Sequence, residues 1–572
     1  MSLMGALSMG GSSLAAQQTG LQVTGNNIAN AGTEGYTRQA VTLTPGGVEQ
    51  VGTQFLGMGV TVSSVQRQAN EAINSSLRDA TSDQSAAQTL DTLLGQVEST
   101  FGALNDNDLS GRLNTLFNSF STLANNPGDA AQRSVVVQNG VSTADYLQNL
   151  RGQLSSIRSD AQSQISAMVT QANTLAQSIA SLNKQITSVE GGAGTANNLR
   201  DQRDQALTQL SQIMDIRVVD QGGGNLNVLV GSIPLVNGSD SRGVSSVQVS
   251  DPTGQFSNTQ VTFADNGGYM RVTGGKLGTL ISARDTYLQP AVQTVDQIAA
   301  GLITAVNTIH TQGQGLSGFS TVTGTVQVTD PTAALNAPQL TTNIAFPPKN
   351  GTFNLYIQDT VSGQITTKQV NVNLSGQGTQ TTLNSLAASI SAAGGGVVSA
   401  TVGANGKLTI ASSNNNVTFG FGEDSSGTLA ALGINTFFTG SDASNIAVND
   451  VIQTNPSMLA AGRGNVQGSN TNALALAQAG KAGVAALNGK SVTDFYTDYV
   501  GTLASHAKNA ADDVVAQNTI RDTIYAQQQA ISGVSLDEEA INLTKYQRAF
   551  QGTARYITVV DELMQTVLSL VQ

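Results

Sequence analysis

Residues 535–572 read SLDEEAINLTKYQRAFQGTARYITVVDELMQTVLSLVQ. From Leu543 the apolar positions recur three and then four apart: Leu543, Tyr546, Phe550, Ile557, Val560, Met564, Val567 and Val571, with Thr553 the one polar member. This spacing is a heptad seam, which sets one side of a helix against a partner stripe. Ser535 followed by Glu538 is a capping box that marks the helix start, and Asp537, Glu538 and Glu539 suit its positive N-terminal end. Burying such side chains yields about 1.5 to 3 kcal/mol each, and ordering the segment costs at least as much as the seam returns. A lone terminal helix is therefore expected to order only against a partner. Leu563, Leu568 and Leu570 lie off the seam and residues 563–572 carry no charge, so several neighbours are implied.

The start of the chain supplies one candidate. Leu7, Leu14, Leu21 and Ile28 repeat every seventh residue, Leu3 lies one turn before, and Gly10, Gln17 and Thr24 fill the alternate positions. Two such stripes can close on each other and bring the termini together.

Residues 26–39, NNIANAGTEGYTRQ, resemble the N-terminal signature of bacterial flagellar axial proteins, through Asn27, Asn30, Gly35, Tyr36, Arg38 and Gln39. YQRAFQ at 546–551, which contains Gln547 and Arg548, and LMQTVL at 563–568 are similar to the C-terminal signature of the same group. The GYTRQ ending, together with Leu109-Ser110, Leu116-Phe117, Phe120, Leu123-Ala124, Asn126-Pro127, Arg133 and LRDQRD at 199–204, resembles the hook-filament junction family rather than rod or hook subunits. Leu429 to Ile434, Phe437 to Gly440 and Ala443 to Val448 continue the likeness.

Between the ends, hydrophobic period separates helical from β segments. Residues 41–66 read as extended pieces broken by Gly and Pro; 69–101 and 113–123 return to helical spacing, which stops before Pro127. A long helix follows, with Leu147, Leu154, Ala161, Met168, Leu175, Leu182 and Val189 on one line and Ile165, Ala172, Ile179 and Ile186 on a second. Residues 191–194 break it, and 199–210 begin an antiparallel return. The period is two from 216 to 275, helical from 277 to 310, and then gives way to a Gly, Thr, Asn and Ser rich segment to about 440. There Val370, Val372 and Leu374 alternate, and Asn405-Gly406 marks a tight hairpin. Helical spacing resumes at Ala473 and runs to Ile531.

The expected architecture is α+β multidomain: paired N- and C-terminal coiled-coil helices, an elongated antiparallel helical rod domain and inserted mainly-β outer domains. The expected parts are 1–66 with 533–572 at the ends, 67–215 with 276–317 and 441–532 as the rod, 216–275 as its β excursion, and 318–440 as the outer β domain.

Composition narrows the function. The 572 residues carry a net charge of -12 with a pI near 4.6, which argues against nucleic acid. Charged residues are 11%, against roughly 25% in ordinary soluble chains, which suits copies packing side by side. There is no cysteine, hence no disulfide framework or thiolate metal site. No basic residue precedes Arg38, so a cleavable secretory signal is not read, and no apolar run is long enough to span a membrane.

Catalytic patterns are missing in the same way. The two histidines, His310 and His506, are too far apart for a zincin pair, and no G-x-S-x-G elbow occurs. Gly489-Lys490-Ser491 ends like a P-loop, but Val484 stands where Gly is required. Asp106 to Gly111 begins like a calcium loop whose twelfth position is Phe117, so a helix cap is the better reading. Asp512-Asp513 and Asp537 to Glu539 read as solvated helix faces. No cofactor or enzyme activity is implied.

The resemblance implies an extracellular structural subunit of the flagellum that is exported unfolded by the type III apparatus. It would polymerise with its own copies and meet hook protein, a second junction protein and an export chaperone. The assembly interface expected from the residues is Leu3, Leu7, Leu14, Leu21 and Ile28 with Leu543, Tyr546, Phe550, Ile557, Val560, Met564, Val567 and Val571. Competing readings are a hook or rod subunit, a secreted membrane-active protein using the last helix, and an enzyme in the outer β segment. The membrane reading is weakened because Asp561 and Glu562 offset Lys545, Arg548 and Arg555.

Overall fold

The computed structural model describes residues 3–570 except 52, 103–107, 193, 252–253, 255, 339 and 341–346. The helices are α1 (Leu3–Ala29), α2 (Glu71–Phe101), α3 (Leu109–Asn125), α4 (Ala130–Glu190), α5 (Asn197–Ile213), α6 (Gly275–Ala283), α7 (Gln289–His310), α8 (Leu383–Ala393), α9 (Thr428–Leu432), α10 (Asp450–Thr454), α11 (Thr471–Ala479), α12 (Val492–Ser532) and α13 (Leu536–Leu570). Long terminal helices combined with several small sheets make this an α+β multidomain chain, as the hydrophobic periods indicate. It divides into two compact units: Met1–Leu93, Asp160–Arg284 and Lys508–Gln572 form the first, Leu94–Ser159 and Asp285–Ala507 the second.

In the first unit α1 lies along α13. β1 (Gln39–Pro45) and β4 (Val60–Arg67) form an antiparallel ribbon that continues into the hairpin β2 (Val48–Val51) and β3 (Gln54–Gly57). The unit's parts of α2 and α12 run antiparallel: Gln84 Nε2 donates to Asn518 Oδ1 at 2.7 Å and Gln528 Nε2 to Asn74 Oδ1 at 3.4 Å. The period-two segment forms the meander β5 (Arg217–Gly222), β6 (Asn225–Val230), β7 (Ile233–Asn237) and β8 (Asp240–Ser241), followed by the ribbon β9 (Val244–Ser250) and β10 (Ser257–Phe263).

The long helix begins earlier than its leucine line suggests, at Ala130. Of its two apolar lines, Leu147, Leu154 and Ala161 are buried, but Met168 and Leu175 are half-buried and Val189 is exposed. Ile165, Ala172, Ile179 and Ile186 are buried throughout. Leu182 on the first line is buried again, so the second line carries the contact throughout while the first, which drifts about 20° per heptad around a straight helix, lies at its margin beyond Ala161.

The second unit is built on α7, whose Val292, Val295, Ile298, Leu302 and Val306 are fully buried. A π-helical turn, Arg284–Leu288, joins it to α6 where the sequence shows one continuous pattern. The segment after α7 forms two three-stranded sheets. One is β13 (Ile365–Val372), β12 (Gly351–Asp359) and β16 (Val417–Gly422); the other is β11 (Thr321–Thr323), β15 (Leu408–Ser412) and β14 (Val398–Val402). The Asn405-Gly406 hairpin is present, with Val402 opposite Leu408 and Gly406 at φ +69°, a conformation that favours glycine. Helix α8 between the sheets is unmarked in the sequence, because Ala and Ser dominate it; a Thr382–Ser385 capping box starts it. The last helical stretch is also interrupted, with α11 ending at Ala479 and α12 starting at Val492.

Apart from residues 199–204, which lie in the first unit, the interior blocks that carry the family likeness supply a buried cluster in this unit. Arg133, 1% exposed, donates to Pro127 O at 2.6 Å and to Leu459 O at 2.6 Å, tying the turn between α3 and α4 to residues far along the chain. Burial pulls its guanidinium pKa down to about 10. Asn307 on α7 accepts from the Phe437 and Phe438 N–H groups and donates to Phe438 O. His310 is completely buried: Nε2 accepts from Ala460 N–H at 3.0 Å, so Nδ1 carries the proton toward Asn435 O at 2.8 Å.

Its burial, with Arg133 nearby, lowers the His310 pKa to about 4. The unfolded chain takes up this proton near pH 6.5 and the folded chain only near 4. The ring therefore contributes about 3 kcal/mol of stability above pH 6.5, lost as pH falls through that window. His310→Gln is expected to flatten the pH dependence of denaturant unfolding between pH 6.5 and 4 by close to one proton, read as the difference from the unsubstituted chain.

Candidate functional site

The chain ends meet in an antiparallel pair, with Gly10 opposite Ile557, Gly20 opposite Tyr546 and Asn27 opposite Glu539. The face α1 turns inward is made of small residues: Ala6, Gly10, Ala16, Gly20 and Thr24 are buried. A Cβ at Gly10 would lie 2.6 Å from Ile557 Cγ1, and one at Gly20 2.6 Å from Tyr546 Cε1. The large seam residues of α13 thus sit directly on the α1 backbone. Leu3, Leu7, Leu14, Leu21 and Ile28 are half-buried and flank this line rather than forming it. The heptad spacing places the leucines together with Gly10, Gln17 and Thr24 on one seam, and of these Gly10 and Thr24 are the buried members. The structure rotates the contact onto the small residues, because close helix approach favours the absence of side chain over its presence.

On α13 the seam follows the expected register. Leu543, Tyr546, Phe550, Ile557 and Met564 are half-buried and Val560 is buried. Thr553 is accommodated by donating its hydroxyl to Ala549 O at 2.9 Å. Val567 is 47% exposed, and Val571 lies outside the described residues. At the helix start Ser535 Oγ accepts from Glu538 N–H at 3.4 Å, while the Glu538 carboxylate takes Arg38.

The N-terminal signature folds into a clasp at the same end of the pair. Asn27, 1% exposed, uses its whole amide: Nδ2 donates to Gln39 O at 2.9 Å and to Glu539 Oε2 at 3.1 Å, while Oδ1 accepts from Tyr36 OH at 2.7 Å and Gln39 N–H at 3.0 Å. Arg38 closes on both acids, with Nη2 2.8 Å from Glu539 Oε1 and Nη1 2.7 Å from Glu538 Oε2. Its N–H donates to Ser532 O and its carbonyl accepts from Gln68 N–H. Glu539, 2% exposed, is therefore a buried carboxylate with both oxygens engaged. Burial, with Asp201 and Glu539 close by, pushes the Tyr36 phenol up to about 12 and keeps it a donor.

The rest of the signature is local. Asn30 Nδ2 donates to Asn26 O at 2.9 Å, and Gly35 at φ +79° makes the turn into the clasp. Gln547 and Arg548 are exposed. Residues 199–204 extend the clasp into α5. Asp201 accepts from Thr37 N–H at 3.4 Å and pairs with Arg67 at 2.8 Å, Asp204 pairs with Arg67, and Arg203 Nη1 donates to Asn183 Oδ1 and Gly224 O. Glu539, expected on a solvated helix face, is instead buried, because Arg38, 501 positions away, and Asn27 reach it; the pairing of Arg67 with Asp201 and Asp204 is unmarked in the sequence for the same reason of distance.

One flank of α13 is left uncovered among the described residues. Val559, Leu563, Val567 and Leu570, spaced three and four apart, are all exposed, and so is Leu568. Among the described residues no group of acids and histidines could hold a metal ion, and no helix is long and apolar enough to cross a membrane.

Comparison with known proteins meets this geometry at three places. Residues 94–325 match the family described as flagellar hook-associated protein FlgK helical domain, residues 527–570 the flagellar basal body rod FlgEFG protein C-terminal family, and residues 7–37 the flagella basal body rod protein family. Flagellar hook-associated protein 1 of Salmonella typhimurium is 27% identical over 98% of both chains. Its namesakes in Escherichia coli and Bacillus subtilis are 27% identical over 98% of both chains and 26% identical over 97% of this chain and 96% of the relative, respectively. The flagellar hook junction protein FlgK of Burkholderia pseudomallei shares the fold, with a TM-score of 0.50 at 18% identity, covering 80% of this chain and 100% of that one.

Because Tyr546 fills the space a side chain at position 20 needs, Gly20→Leu is expected to separate the pair and remove hydrogen-exchange protection from the α1 amides. Gly25→Ala, with nothing within 4 Å of the new Cβ, should leave protection equal or higher, since Ala is about 1 kcal/mol better than Gly inside a helix.

Proposed function

From the premise that this chain belongs to the flagellar hook-associated protein 1 family, we propose that it polymerises at the hook-filament junction and adapts hook to filament. The observation that carries this reading is the uncovered flank of α13 beside a seam already occupied by α1. Single apolar residues on a surface are ordinary, but a helical line of them, continuous with a partnered seam, fits a second helix. Equivalent ends of neighbouring copies supply that helix. The terminal segments 1–66 and 533–572 then form the inner layer, the helical segments make lateral and axial contacts, and the β segments 216–275 and 318–440 face outward.

The same thin packing favours coupling of folding to assembly. Among the described residues of α13, Glu539 and Val560 are the fully buried ones, so the pair gains little from intramolecular burial alone. Ends that order late can pass a narrow export channel as extended chain and lock afterwards. On this reading the chain leaves the cell through the type III apparatus, with an export chaperone covering the C-terminal helix. It then meets hook protein on one side and a second junction protein on the other, and its role is structural rather than enzymatic.

Leu563→Asp and Val567→Asp test the proposal, because both side chains are exposed in the single chain. Each should abolish incorporation onto hooks while leaving the unfolding free energy of the purified chain within the few tenths of a kcal/mol typical of surface changes. Normal incorporation of both variants defeats the reading. Val560→Asp differs in also loosening the α1 pairing, since Val560 is 4% exposed.

A further inference from the structure

We propose that the cluster of Arg38 with the buried Asn27 and Glu539 is a register latch, which selects one longitudinal offset of α1 against α13 and rejects the offset displaced by one heptad. The seam itself discriminates poorly. The α1 face is a line of small residues without charge, and the α13 seam offers uncharged residues every seven positions, none of them bulkier at the displaced offset than a glycine slot can take. Sliding α1 by seven residues toward the end of α13 places Thr553 over Gly20 in place of Tyr546, and Met564 over Gly10 in place of Ile557. Threonine is smaller than tyrosine and methionine is flexible, so neither glycine slot objects.

The polar cluster does object. In the displaced arrangement Asn27 faces Tyr546, and Glu539 loses the Asn27 amide. Arg38 leaves with α1, because Asn27 is bonded to Tyr36 and Gln39 on either side of it. A carboxylate that is 2% exposed is then left without its cation, the costly way to break a buried pair. A polar residue at one seam position fixing alignment is an established use of such groups in coiled helices. The latch also lies at one end of the pair, where the chain enters and leaves it, so it can set the alignment before the remaining seam closes.

The absence of cysteine in the chain makes the alignment directly readable. Ser13→Cys with Thr553→Cys reports the observed offset, and Ser13→Cys with Val560→Cys reports the displaced one. Both are scored as disulfide yield in the full-length chain, purified and incorporated onto hooks. With the latch intact the first pair should dominate. In Glu539→Leu the displaced pair should rise about tenfold relative to the first, and Glu539→Gln, which keeps an acceptor for Asn27 Nδ2 and Arg38, should hold the original ratio. An unchanged ratio in Glu539→Leu, equal yields with the latch intact, no disulfide from either pair in either form, or loss of alignment in Glu539→Gln as large as in Glu539→Leu overturns the proposal. Incorporation is scored separately: native-offset disulfides in a chain that does not polymerise sink the junction reading and leave the latch standing.

Discussion

Close approach of two helix backbones is the condition on which the chain ends depend. With Ala6, Gly10, Ala16 and Gly20 on its inner face, α1 offers α13 little beyond its own backbone, and Ile557 and Tyr546 fill the space that side chains would take. A pair this intimate covers a narrow strip of each helix. The apolar residues that remain on α13 follow directly, since a larger partner stripe would have covered more of them at the expense of contact distance. Thin packing inside one copy and apolar surface left for others are thus two aspects of one choice of residues.

The same economy runs through the body of the first unit, where single charged side chains join segments that are distant in sequence. Arg38 ties the segment after α1 to the start of α13 through Glu538 and Glu539, and Arg67 at the end of β4 spans Asp201 and Asp204 on α5; more locally, Arg200 holds Glu190 at the end of α4 with Nε 2.7 Å from Oε1. In a chain with 11% charged residues such positions are scarce, and several of those present are spent on ties of this kind. The second unit follows the rule with neutral groups: Asn307 and His310 satisfy backbone groups of residues 435–438 and 460, where a missing partner would leave a buried carbonyl or amide bare.

How far the sequence could be read depended on side-chain size and on sequence distance. The α13 seam was legible because large residues keep the heptad on both sides of Thr553, its one break, and the long helix because two apolar lines run beside each other. The α1 contact face was misread for the complementary reason. Leucines mark a stripe to the eye, whereas glycine and alanine carry the contact here, and small residues give no hydropathy signal. Helix α8 was hidden by its Ala and Ser content. The clasp was out of reach because Arg38 and Glu539 are 501 positions apart, and only the fold makes them neighbours. The signature residues around Asn27 and Arg38 pointed to the right place without revealing what they hold.

The uncharged character of α1 has a bearing on the conditions the joint tolerates. Residues 3–29 contain no ionisable side chain, so the long contact with α13 presents almost nothing for dissolved ions to screen. Of the charges that take part, Glu539 is sunk below the surface, where counterions reach it poorly, while Arg38 and its second partner Glu538 stay partly in solvent. Salinity therefore acts on the joint mainly at that one rim pair, and the long uncharged contact should hold alike in dilute fresh water and in brine.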